Sequence, residues 1–89
     1  MLITVEISLY PLDIDYKPAI RAFIHQLRKH EGIETITNQM STQVRGKFDE
    51  VMPAVTACIK KSMADNDKVV FVTKFLNTGL DIARTPDLE

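Results

Sequence analysis

The sequence predicts an α+β fold: one antiparallel four-stranded sheet with two helices on one face, in the order strand, helix, strand, strand, helix, strand. Three observations predict it. Residues Leu2 to Tyr10 alternate apolar and polar, as a strand with one buried face must. Two stretches, around residues 18–30 and 49–63, repeat apolar residues at helical spacing. The segments between and after them are rich in Ile, Val, Thr and Phe and are bounded by Gly, Asp and Asn.

The first strand places Ile3, Val5, Ile7 and Leu9 on one face and Thr4, Glu6, Ser8 and Tyr10 on the other. Pro11 ends it. Asp13 and Asp15 offer N-cap oxygens for the first helix, and Pro18 suits a first turn. Ile20, Phe23, Ile24 and Leu27 make its apolar stripe; Arg21, Gln26, Arg28 and Lys29 take the solvent side. Lys29 and His30 complement the negative end of the helix, and Gly32 stops it.

Ile33 to Met40 reads as the second strand and Ser41 to Arg45 as the third, with Gly46 closing the hairpin and opening the second helix. Asp49 and Glu50 lie at that helix start, where carboxylates meet free amides. Val51, Met52, Val55, Cys58, Ile59 and Met63 form its buried stripe, with Lys60 and Lys61 outward. Pro53 is expected near the end of the first turn. Asp65-Asn66-Asp67 is a turn, and Lys68 to Asn77 the fourth strand. The expected division is a domain over residues 1–78 and a short or loosely held tail over 79–89, which contains Gly79 and Pro86.

Each helix thus joins two parallel strands with a third strand between them, the split βαβ arrangement called ferredoxin-like. Right-handed crossovers put both helices on the same face. The sheet order is 4-1-3-2, with the first and third strands central.

The chain of 89 residues supports one domain and one core. Its net charge of -1, from eleven basic and twelve acidic residues, lacks the positive excess that nucleic-acid binding uses. The run Val69-Val70-Phe71-Val72 is far too short to span a bilayer. The N-terminus opens straight into alternation, unlike a signal peptide, and a lone cysteine, Cys58, forms no intrachain disulfide. A reducing cytoplasm is the expected location, with no nucleic-acid or membrane partner.

Catalytic and metal chemistry find little support. Cys58 falls on an apolar helix face and reads as core. His25 and His30 are five residues apart, too far round a helix to share a metal, and no metal site is expected. No paired-cysteine, HExxH or phosphate-loop motif is present. Ser8, Ser41 and Ser62 have no histidine and acid in sequence context. Asp49-Glu50 is explained by its helix start. An RNA-binding sheet needs aromatics on its central strands, and residues 41–45 have none. An acylphosphatase needs a phosphate-cradling loop after the first strand, but residues 11–15 are acidic and lack glycine. No catalytic residue is assigned.

The face away from the helices is more apolar than a solvated sheet face needs to be. The fourth strand puts Val69, Phe71 and Phe75 on one side and Val70, Val72, Lys74 and Leu76 on the other. Lys74 points the second set outward, beside Thr4, Glu6, Ser8 and Tyr10, with Glu6 and Lys74 as a cross-strand pair. An apolar patch of this kind is an interface signal, and a second subunit is expected to cover it.

The words Thr4-Val5-Glu6-Ile7-Ser8-Leu9-Tyr10-Pro11-Leu12, Met40-Ser41-Thr42 followed by Gly46, Phe48-Asp49-Glu50-Val51-Met52 and the fourth-strand Lys74, in this order and spacing, resemble the YkoF-like thiamine-binding family. The resemblance spans roughly residues 2–77. It implies a ferredoxin-like fold assembled as a homodimer or homotetramer through open sheet faces. It also implies non-catalytic binding of thiamine, or its hydroxymethylpyrimidine part, with thiamine as ligand and no cofactor. Carried over, Met40, Ser41 and Thr42 lie near the ligand or subunit interface; Glu6, Ser8 and Lys74 line the open face; Gly46 provides the turn. Glu6 can meet the exocyclic amine or the thiazolium cation, Ser8, Asn38 and Thr42 the ring nitrogens, and Tyr10 can stack on a ring. Pro53 and the polar Thr37-Asn38-Gln39 depart from the pattern expected of the family. The competing reading is a ligand-free oligomeric regulatory or scaffolding module.

Overall fold

In the computed structural model, which describes residues 1–88, the elements follow as β1 (Leu2–Pro11), α1 (Lys17–Arg28), β2 (Ile33–Thr37), β3 (Thr42–Lys47), α2 (Phe48–Asp65) and β4 (Val69–Leu76). The four strands form one sheet in the order β2-β3-β1-β4, every neighbouring pair antiparallel. This is the ferredoxin-like topology, with β1 and β3 central as expected.

One face of the sheet builds the core. Ile3, Val5, Ile7 and Leu9 of β1 and Val44 of β3 meet Phe23 and Leu27 of α1 and Val51, Val55 and Cys58 of α2. Phe23 also meets Phe71 of β4, ring centroids 5.2 Å apart and tilted by 55°, a favoured aromatic geometry. Burial of apolar area here is the main stabilising term. The helices occupy one side because both crossovers are right-handed. The opposite side carries no helix.

Local chemistry moves several boundaries. The hairpin turn falls at residues 38–41, so β2 stops at Thr37 and β3 runs on to Lys47. Asn38 Oδ1 accepts from the amides of Met40 (2.9 Å) and Ser41 (3.1 Å), giving the chain a local alternative to the ladder. Gly46 does not make the turn. It lies inside β3, where a Cβ would meet Val51 Cγ2 at 3.1 Å and the Gly32 carbonyl at 3.3 Å. Gly32 itself has φ +85°, the left-handed conformation that glycine adopts without strain.

Neither Asp13 nor Asp15 caps α1. Tyr16 occupies the N-cap without a side-chain bond, and Asp13 Oδ1 instead accepts from the Asp15 amide at 3.0 Å. α2 starts at Phe48, whose amide donates to the Met1 carbonyl at 2.9 Å. That early start carries Pro53 past the first turn into the helix interior, where it removes one backbone donor. Met63 is not buried; it is 53% exposed, and Ser62 takes the inward position. The segment after β4 is tied back onto the domain through Thr4, as described below. Its last residue, Glu89, lies outside the described residues. Among the described residues no helix is long and apolar enough to cross a membrane.

Candidate functional site

The register places Glu6 at the centre of the open face. On one side its β3 neighbour is Gln43; on the other its β4 neighbour is Lys74. Lys74 Nζ stands 3.5 Å from Glu6 Oε1. The hydroxyl of Ser41 donates to Glu6 Oε2 at 3.0 Å. Ser41 reaches Glu6 because the Asn38 turn folds the hairpin end toward β1, and the Asn38 amide closes that turn on the Ser41 carbonyl at 3.0 Å. The carboxylate is therefore aimed by two partners from opposite sides. The Lys74 side chain is 80% exposed, so the ion pair orients Glu6 more than it stabilises the fold.

A groove of about 720 Å³ opens over this carboxylate. Its floor crosses all four strands: Thr4 and Glu6 of β1, Gln43 of β3, Ile36 of β2, and Lys74 and Leu76 of β4. Asn38 stands at one end, and residues 80–87 of the segment after β4 line the remainder. The size is that of a site for a small organic molecule. Apolar Ile36, Leu76 and Leu80 share this lining with polar Glu6 and Gln43.

The expected site residues divide between two places. Glu6, Asn38 and Lys74 line the groove. Ser8, Tyr10, Met40, Ser41 and Thr42, again with Asn38, surround a smaller recess of about 100 Å³ bounded by Ile20 and Ile24 of α1. Thr42 faces the helices opposite Ile7, is 3% exposed, and shares a 3.1 Å hydrogen bond with Thr37. Its hydroxyl thus points away from Glu6. Met40 is 86% exposed at the hairpin tip. Asn38 and the Ser41–Glu6 bond join the two places. Gln43 and Ile36 escaped the sequence reading because they share the Glu6 face only once the hairpin register is known. Residues 80–87 carry no sequence signal at all.

The open face remains partly apolar beyond the groove. Tyr10, Val70 and Val72 cluster there, since Tyr10 pairs with Val70 and Ser8 with Val72, and all three are about half exposed. Elsewhere, a cleft of about 180 Å³ runs between the helices over Phe23 and Cys58 and includes none of the candidate residues. Burial pushes the Cys58 thiol up from its ordinary value, which keeps it protonated and unreactive at neutral pH. His25 and His30 are exposed. Among the described residues no group of three or more His, Cys, Asp or Glu side chains is placed to hold a metal ion.

A family model described as "Thiamine-binding protein" matches residues 5–77. The chain belongs to the thiamine-binding protein family. That span contains most of β1 and every later element, including Glu6, Ser41, Gln43 and Lys74, but stops before the segment that walls the groove. Solved structures show the same fold. A Streptococcus pneumoniae protein is 24% identical, with a TM-score of 0.80 over 93% of this chain and 92% of its own. A Thermotoga maritima protein, provisionally described as a thiamine biosynthesis/salvage protein, is 21% identical, with a TM-score of 0.79 over 92% of this chain and 91% of its own. A hypothetical protein from Methanocaldococcus jannascii is 24% identical, with a TM-score of 0.75 over 86% of this chain and 80% of its own. No curated protein matches the chain in sequence. In this member of the thiamine-binding protein family the Glu6–Lys74 pair lies on the open face, and Pro53 lies inside α2.

Proposed function

We propose that this protein binds thiamine, or its hydroxymethylpyrimidine part, without transforming it, in the groove over Glu6. The observation that carries the reading is the Glu6 carboxylate, held at the groove floor between Ser41 and Lys74 with polar Gln43 beside it. A carboxylate with spare acceptor capacity can take an exocyclic amine and offset a thiazolium cation. Ile36, Leu76 and Leu80 supply apolar contact for the rings. The family membership supports a binding role over a catalytic one.

The half-exposed Tyr10, Val70 and Val72 favour a second copy of the chain on the rest of the open face, as a homodimer or homotetramer. On this reading the ligand sits beside the join, and the smaller recess at Ser8, Tyr10 and Met40 lies at the interface rather than around the ligand. No nucleic acid or membrane enters the proposal, and a cytoplasmic location fits a lone buried thiol.

Calorimetric titration tests the ligand. Thiamine and hydroxymethylpyrimidine are each titrated into the full chain. Saturable binding of at least one is expected; no heat from either at millimolar concentration refutes the proposal. Glu6→Ala must bind more weakly than the parent, and equal affinity removes Glu6 from the site.

A further inference from the structure

The segment after β4 lies outside the span matched by the family model, yet it lines much of the groove. It is attached by a specific device. Thr4 Oγ1 donates to the Thr78 carbonyl at 2.7 Å and accepts from the Leu80 amide at 2.8 Å, so one hydroxyl grips the chain on both sides of Gly79. Thr4 is 8% exposed although it sits on the open face, because this segment covers it. Gly79 permits the close approach. A Cβ there would meet Leu2 Cβ at 3.0 Å and Arg45 Nε at 3.2 Å. Beyond the grip the chain turns at Asp81, whose carbonyl accepts from the Arg84 amide at 3.2 Å. Leu80, Asp81, Ile82 and Arg84 line the groove together with Ile36, Glu6 and Lys74.

We infer that residues 78–87 form a strap that completes the ligand site, so that this member's affinity is set by a segment outside the family's matched span. The inference rests on the thiamine reading above. The sheet alone offers an open floor of mixed character, with Ile36 and Leu76 beside Glu6, Gln43 and Lys74. The strap adds Leu80 and Ile82 to the same groove as Ile36 and Leu76, so that the floor gains an apolar wall for a planar heteroaromatic ring. Glu6, Asp81 and Asp87 stand with Lys74 and Arg84 around the slot, an excess of carboxylates that favours a ring with amine donors over a polyanion. The Thr4 grip acts as the fixed end, and the length beyond it closes on the ligand.

Two measurements on the full chain test this. The first is calorimetry with thiamine on Leu80→Asp and Ile82→Asp, together with Thr4→Val, which removes the grip. Leu80 is 48% exposed, so the Leu80→Asp fold is expected to hold. Each variant is expected to bind about tenfold or more weakly; the thermal midpoints of Leu80→Asp and Ile82→Asp stay near that of the parent, whereas Thr4→Val, which loses two hydrogen bonds, melts lower. The second is limited trypsin digestion of the parent, read at the bond after Arg84. Saturating thiamine is expected to slow that cut several-fold while leaving cuts elsewhere unchanged. If the parent binds thiamine, equal affinity in Leu80→Asp and Ile82→Asp and an unprotected Arg84 bond overturn the strap and leave the ligand reading standing. If the parent binds neither thiamine nor hydroxymethylpyrimidine, both fall together.

Discussion

Replacing Glu6 by Gln separates ligand binding from folding in one position. The amide keeps an acceptor for the Ser41 hydroxyl, now 3.0 Å from Oε2, and removes only the charge. The stability lost is that of the Glu6–Lys74 pair, whose N···O distance is 3.5 Å with the lysine side chain 80% exposed. A pair so open to water contributes under about 1 kcal/mol. In a domain of this size that lowers the thermal midpoint by less than about 8 °C. A hydrogen bond from a ligand amine to the carboxylate contributes more, about 1.5–3 kcal/mol, or roughly 10–150-fold in Kd. The expected result is a large fall in thiamine affinity by calorimetry with a small shift in midpoint by differential scanning fluorimetry. Lys74→Ala should lose little stability for the same reason. Two results refute this reasoning. Unchanged affinity in Glu6→Gln means that the carboxylate does not touch the ligand. A stability loss beyond about 3 kcal/mol in either variant means that the pair is structural, contrary to its exposure.

Other consequences follow from the core and the open face. Phe23→Ala removes a ring that is 2% exposed and packed on Phe71, so urea denaturation should show a loss of about 3–5 kcal/mol. Gly32→Ala should also destabilise, because the residue has φ +85° and a Cβ would come 2.8 Å from Glu50 Oε2; equal urea midpoints would contradict this. The raised Cys58 pKa means that the folded state favours the protonated thiol. Its contribution to stability is full below the unfolded thiol pKa and declines as pH rises from there through the folded value, and alkylation should be slow until urea exposes the thiol. Val72→Asp should shift light-scattering mass toward the monomer if a second copy covers the open face, whereas a parent that is already monomeric at high concentration removes that interface.

Much of this architecture was legible in the chain itself. The alternation of Ile3, Val5, Ile7 and Leu9, and the helical spacing of Phe23 and Leu27, encode burial directly, since periodicity follows from backbone geometry. Two helices joining strands of this order leave essentially one topology under right-handed crossovers. The same alternation put Glu6 and Lys74 on the open face, and β1 and β4 do place them opposite each other. The sequence determined these features because each depends on local geometry and a general handedness rule. The tertiary structure alone decided the rest. The turn at Asn38 shifted the hairpin, placed Gly46 within β3, and brought Ser41 to Glu6 while turning Thr42 toward the helices. One residue of register decides which face a side chain occupies, and turn hydrogen bonds set that register. The fold-back of residues 78–87 was equally hidden, because the Thr4 hydroxyl that holds it lies more than seventy positions away in sequence. Contacts at that separation leave no periodic trace, and so the wall of the groove emerges only when the chain is folded.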